Sequence, residues 1–329
     1  MVVPALLVKA VVLGAVALPA VLVGPTATGS VPGPVRVAST QPAADDSDNS
    51  DDSDSDNSDN SDKKCDGPAK VLDLANWKVT LPIAKSGNAK SPEEVTQPDL
   101  ATFETSPWFE TSSDCGGVVF RAPVNGVTTS GSRNPRSELR EMTDDGTTNA
   151  SWSSTAGTHT MVVNEAFTHL PDVKPELVGA QIHDADDDIT VFRLEGTNLY
   201  VTKGNDPHYK LVTSDYALGT RFEAKYVVTG GKIEAYYNGA LQTTISEWFR
   251  GAYFKAGAYT QANCTDSKPC SKSNYGETTV YSVVVSHQVT QWQLIRDWIM
   301  YAVPYALGVL VVAALGFLLW RRQRARRTV

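Results

Sequence analysis

Tyr253-Phe254-Lys255-Ala256-Gly257-Ala258-Tyr259-Thr260-Gln261 alternates two kinds of residue. In an extended chain successive side chains point to opposite faces. Tyr253, Lys255, Gly257, Tyr259 and Gln261 then share one face, and Phe254, Ala256 and Ala258 share the other. The second face is small and apolar, as a core requires. The first carries two phenols, a cation and an amide, with a glycine where something can approach the backbone closely. A face of this kind is suited to a polar, anionic ligand.

Two further segments have the same design. In Arg136-Ser137-Glu138-Leu139-Arg140-Glu141, alternation aligns Arg136, Glu138 and Arg140. In Gln181-Ile182-His183 it aligns Gln181 with His183 and gives Ile182 to the core. If the three polar faces are one concave sheet face, they form a basic, hydrogen-bonding groove for a chain of carboxylates. Taken singly, each segment has a plainer reading: a weak surface ion pair, a structural histidine, an ordinary strand tyrosine.

Period-2 segments bounded by turn signals recur from Val71–Leu81 to Thr278–Ser286. The turns include Asp145-Gly146, Gly230-Gly231 and Asn238-Gly239. About a dozen short strands over roughly 220 residues point to one all-β sandwich or barrel. Ser91–Phe103 is the one stretch read as holding a short helix.

The ends of the 329-residue chain differ from this middle. Residues 1–30 read as a signal peptide, with Lys9 before the apolar run Val11–Val23; an uncleaved anchor is the rival. Residues 31–64 read as a disordered linker. Asp45 to Asp62 is made only of Asp, Ser and Asn and has nothing apolar to offset the entropy of ordering. It lacks the glycine and closing glutamate of an EF-hand loop. Its nine aspartates exceed the whole net charge of −8, so the acidity says little about the folded part and argues against nucleic acid. Residues 65–288 are expected to form the folded domain and 289–297 a juxtamembrane linker. Residues 298–320 form a nearly uncharged run of bilayer-spanning length. Trp298, Tyr301 and Trp320 flank this run, and the basic tail 321–329, with five arginines, follows it. The positive-inside rule puts that tail in the cytoplasm and the domain outside the cell, on a single-pass membrane protein.

Four cysteines in an extracellular chain predict two disulfides. Cys264 and Cys270 bracket a short loop and are expected to pair, leaving Cys65 for Cys115. Their spacing does not suit zinc.

The Arg136–Arg140, Gln181–His183 and Tyr253–Gln261 segments, in this order, resemble the three signature motifs of the polysaccharide lyase family 7 alginate lyases. The resemblance covers roughly Asp73 to Ser286. It implies a β-jelly-roll of two antiparallel sheets bent around a groove for alginate or a related polyuronate, working as a monomer without metal or cofactor. It also implies chemistry: Arg136 and Gln181 neutralise the uronate carboxylate, His183 acts as base for guluronate, and Tyr259 acts as acid, or as both acid and base for mannuronate. A phenol with a pKa of about 10 needs nearby cations to act as base, and Arg136, Arg140 and Lys255 are the candidates. Arg140, Lys255, Gln261, Tyr253 and Glu138 are assigned to substrate binding, Glu138 through orienting the arginines. Gln-Ile-His tends to accompany activity on guluronate-containing blocks. A non-catalytic carbohydrate-binding jelly roll, or a lyase on glucuronan, would use the same groove; the presence of both His183 and Tyr259 favours catalysis. A retaining hydrolase would need two carboxylates about 5 Å apart, and the Glu-x-Asp-x-x-Glu strand is absent.

Overall fold

A computed structural model of the chain describes residues 65–325. The expected signal peptide (1–30), the Asp-rich linker (31–64) and the end of the basic tail (326–329) lie outside the described residues. In chain order the strands are β1 (Trp77–Lys85), β2 (Asn88–Val95), β3 (Phe109–Thr111), β4 (Val118–Pro123), β5 (Arg136–Thr143), β6 (Thr148–Asn149), β7 (Thr158–His169), β8 (Glu176–His183), β9 (Asp188–Glu195), β10 (Asn198–Lys203), β11 (Asp206–Thr213), β12 (Phe222–Thr229), β13 (Lys232–Tyr237), β14 (Ala240–Ser246), β15 (Tyr253–Thr260) and β16 (Tyr275–Gln288). One helix, α1 (Gln291–Ala325), follows.

The strands make two antiparallel sheets packed as a jelly-roll sandwich. The first runs β11-β10-β9-β8-β15-β5-β1-β2, with β6 beside β5; the second runs β14-β13-β12-β7-β16-β4-β3. The three motif strands are neighbours, with β15 between β8 and β5. Between the sheets lie Phe109, Phe120, Leu139, Met161, Phe167, Phe192, Phe222, Tyr226 and Phe254, all essentially fully buried. Ala256 and Ala258 are likewise buried on the core side of β15. The alternation that assigns this strand a core face and a groove face therefore holds in three dimensions.

The close approach expected at Gly257 is present, and it is made by the protein itself. Its φ is +136°, and a Cβ there would meet Ser137 O at 2.7 Å and the Phe120 ring at 3.0 Å. The close approach is made by β5 and by the opposite sheet.

Three local expectations are revised. Val71–Leu81 is not one strand: a 3-10 turn (Pro68–Lys70) leads to turns, and β1 starts only at Trp77. Leu72 and Leu74 give the apolar rhythm because both turn inward and are buried. Ser91–Phe103 holds no α-helix; β2 occupies its start, and only Asp99–Ala101 forms a 3-10 turn. β2 is an exposed edge strand, where Pro92 is tolerated and no apolar alternation is needed. Finally, residues 291–297 are not linker but the first turns of α1, which contains Pro304. The apolar side chains of α1 from Val303 to Trp320 are largely exposed, so this is not a buried core helix. Both expected disulfides are present, Cys65–Cys115 and Cys264–Cys270.

Gly257→Ala is expected to destabilise the domain by roughly 2–5 kcal/mol, combining backbone strain with overpacking. Urea unfolding of the two proteins measures this; an unchanged midpoint would refute the steric account.

Candidate active site

The strand register sets the groove floor. Lys255 of β15 lies between Arg140 of β5 and Gln181 of β8. Gly257 is opposite Glu138, Tyr259 opposite Arg136, and Tyr253 opposite His183. Arg136, Arg140, Gln181, His183, Tyr253, Lys255 and Tyr259 thus line one cleft of about 440 Å³.

Glu138, expected to act by orienting the arginines, lies apart from the cleft lining. It is 1 % exposed and does not line the cleft. Its carboxylate accepts from Arg136 Nη1 at 3.3 Å and, at closer range, from Lys255 Nζ and Gln181 Nε2. Gln181 and Glu138 come from strands on either side of β15 and meet across it. Glu138 therefore touches residues that line the cleft without lining it itself. A carboxylate only accepts, so it orients the Gln181 amide with nitrogen towards itself and leaves the second N–H of that nitrogen for a ligand.

Burial pulls the Lys255 ammonium down to about 8, helped by neighbouring Arg136 and opposed by Glu138. Arg136 is 8 % exposed, and its Nε has no hydrogen-bond partner among the described residues. A buried unpaired N–H is costly, and a ligand oxygen would satisfy it. The Arg136 guanidinium also lies 4.0 Å from the Tyr259 ring centre. The Tyr259 hydroxyl is 2.9 Å from Ser132 Oγ, a partner no strand pattern indicates.

His183 is held at several points. Its Nδ1 donates to the Asp184 carbonyl at 2.6 Å and is 3.2 Å from the Tyr253 hydroxyl. The tautomer so fixed has its lone pair on Nε2. Burial, and then the Lys255 charge, push the His183 pKa below its ordinary value, so it is neutral near pH 7. Tyr253 stacks against His183 and lies under Arg140, whose guanidinium is 3.9 Å from the ring centre. Tyr253 thus braces both neighbours.

Gln261 is not in this cleft. Its Oε1 accepts from Arg193 Nη1 at 3.1 Å, and it lines an adjoining cleft of about 260 Å³ that shares Gln181, Asp188 and Tyr259 with the first. The lining is also less basic than the three motif strands alone predict. Glu94 and Asp186, Asp187 and Asp188 border the same cleft. Burial, and then neighbouring Asp187, push the Asp188 carboxyl up to about 6.

A residue not expected at the site supports it from below. β8 shifts register with both neighbours between Val178 and Gln181: against β9 it carries the extra residue and bulges, whereas against β15 the extra residue is on β15. At that bulge Ala180 N–H donates at 3.2 Å to Oε1 of Glu165, which reaches across the core from β7. A Cβ on Gly179 would sit 2.6 Å from the same oxygen, so only glycine fits. Burial pushes Glu165 up to about 8, with the Ala180 bond acting the other way, so the acid is mostly neutral at pH 7. Its only sequence signal is a charged residue at an inward position of a strand, between Val163 and Phe167.

Residues 72–287 match the family model described as alginate lyase. An alginate lyase from Corynebacterium sp. of solved structure is 67% identical; the match covers 68% of this chain and 99% of that one, with a TM-score of 0.66. A curated alginate lyase of Klebsiella pneumoniae is 35% identical over 82 residues, 25% of this chain and 26% of that protein. The chain thus matches about a quarter of the length of that curated relative. A family 7 alginate lyase carrying a His→Asn and a Tyr→Phe replacement, solved in complex with substrate (GGMG), is 27% identical; the match covers 69% of this chain and 99% of that one, with a TM-score of 0.58.

Glu138→Ala leaves Arg136 and Lys255 buried without their shared anion, which is expected to cost about 3–5 kcal/mol. Adding Lys255→Met should recover part of that loss. Denaturant unfolding of the single and double variants checks this; a double variant as unstable as the sum of the two singles would show that the two residues are not coupled.

Proposed function

The chain belongs to the alginate lyase family, and on that basis we propose that it depolymerises alginate by β-elimination at the groove of β5, β8 and β15. The carrying observation is that the register brings Arg136, Gln181, His183 and Tyr259 to one cleft.

A uronate C5 proton is a poor acid while the adjoining carboxylate keeps its full charge. Arg136, with its unpaired Nε–H, and the second N–H of Gln181 are the donors that neutralise it and stabilise the enolate-like charge that develops. Glu138 pre-orients both donors before substrate arrives. His183 takes the C5 proton of guluronate on Nε2, and its neutrality near pH 7 fits that role. Tyr259 gives its proton to the departing C4 oxygen, and for mannuronate it serves as base as well. A relative with one histidine and one tyrosine replaced was captured with substrate, which supports assigning the proton transfers to this pair of residue types. Arg140 and Lys255 hold neighbouring carboxylates, and Gln261 with Arg193 extends binding into the adjoining cleft.

A preference for guluronate-containing blocks is part of the proposal. Ile182 is fully buried, so its influence on block preference passes through packing that sets Gln181 and His183 rather than through contact with sugar. The exposed apolar helix α1, ending in Arg321, Arg322 and Arg324, is read as the membrane span, with the domain on the outer side.

Tyr259→Phe is expected to lower turnover on all blocks by on the order of 10²–10⁴-fold, the usual worth of a positioned acid or base. His183→Ala should hurt guluronate cleavage most, and equal losses on both blocks would contradict the division of roles. Absorbance of the unsaturated product on separated blocks reads both. Protonation inactivates a base, and the His183 pKa lies below the ordinary histidine value of about 6.5. The acid limb of kcat/KM on guluronate blocks should therefore fall below pH 6.5; a limb at or above that pH would argue against His183 as the base.

A further inference from the structure

α1 begins with a capping box. Thr290 Oγ1 accepts from Gln293 N at 3.3 Å, and Thr290 N donates to Gln293 Oε1 at 2.9 Å. The helix is thereby started seven residues before Trp298, where the bilayer-length apolar run begins. Immediately before that run stands Asp297. It is 4 % exposed, whereas Trp298 beside it is 64 % exposed.

Three donors from the β-domain converge on this carboxylate. Oδ1 accepts from Ser153 Oγ at 3.0 Å and from the Thr155 hydroxyl at closer range. Oδ2 accepts from Arg250 Nη2 at 3.0 Å. Arg296 adds a bond from its Nη2 to Thr155 O at 3.4 Å. A buried carboxylate is stable only when its lone pairs are occupied. A loosely tethered helix would instead leave Asp297 in water.

The docking segment is itself bound into the groove sheet. Trp152 forms a backbone bridge with Ala252, next to the start of β15. Trp152 Nε1 donates at 3.1 Å to Glu141 Oε2, which also accepts from Phe254 N at 2.8 Å. His287, at the end of β16, approaches the other oxygen of Glu141 at 2.5 Å. Hydrogen bonds and chain connectivity thus link Asp297 to the first residues of β15 and the last of β5, the strands that carry Tyr259 and Arg136.

We propose that the first two turns of α1 are a docking element that seats the catalytic domain directly on the outer face of the bilayer, so that the domain and the start of the span, ahead of Pro304, move as one body. The proposal rests on reading α1 as a membrane span. Asp297 and Trp298 are adjacent, a rise of about 1.5 Å along a helix. The docking patch of Ser153, Thr155 and Arg250 is therefore brought to the level of the lipid headgroups, with no stalk between.

The test uses the full chain in phosphatidylcholine/phosphatidylglycerol nanodiscs with spin labels at Asp206→Cys on β11 and Ile299→Cys on α1. Double electron–electron resonance should give one narrow distance. Asp297→Ala should broaden it at least twofold, and Thr155→Val should broaden it to a lesser degree, while alginate turnover by all variants stays within twofold and so reports an intact fold. A broad distribution in the parent, or one that Asp297→Ala leaves narrow, overturns the docking. Carbonate extraction of native membranes separates the two readings. Release of the parent protein overturns the span, and the seating with it; retention with a broad label distance overturns the seating alone.

Discussion

One carboxylate placed under two cations organises the groove. Arg136 and Lys255 are both buried; desolvation, and then the neighbouring Arg136 charge, lower the Lys255 ammonium. Glu138 opposes both effects from a buried position outside the cleft lining. Such a cluster is expensive to desolvate, so the backbone must hold its members where they repay one another. The β8–β15–β5 register does this, with Gly257 letting β5 and Phe120 close up on the middle strand.

The second sheet contributes more than a hydrophobic backing. Glu165 reaches from β7 through the core to the bulge of β8, and Gly179 leaves room for it. A bulge frees a backbone N–H that has lost its ladder partner, and here a largely neutral acid takes it. The residue after Ala180 is Gln181, and His183 follows two further on. The side chains that line the cleft here are therefore braced by the Tyr253 ring in their own layer and by a side chain from the opposite one.

Much of this was legible in the sequence, and the parts that were not share physical causes. Alternation separated the Lys255, Gly257 and Tyr259 face from Phe254, Ala256 and Ala258, because a strand with one buried face must alternate. It also places Arg136, Glu138 and Arg140 on one face, but it cannot report depth, and so does not show that Glu138 lies apart from the cleft that the two arginines line. Gln261 shares the face of Tyr259 and is diverted by Arg193 from β9, a long-range contact that local pattern does not carry. β2 gives no apolar rhythm because an edge strand buries neither face. The early start of α1 was readable in Thr290-Gln291-Trp292-Gln293, a capping signal overshadowed by the stronger apolar run behind it. The acidic border at Asp186–Asp188 could be seen as charge but not located at the groove.

Pro304 lies seven residues beyond Asp297 in α1. It has no N–H, so the Met300 carbonyl loses its usual helical partner, and a helix bends most readily at such a point. In the proposed membrane setting, the stiffest join and the softest point of the helix then stand only two turns apart. Changes in bilayer thickness or curvature would be taken up as bending at Pro304 before they strain the Asp297 contacts. The helix would act as a compliant mount, isolating the geometry of the groove from the mechanics of the lipid.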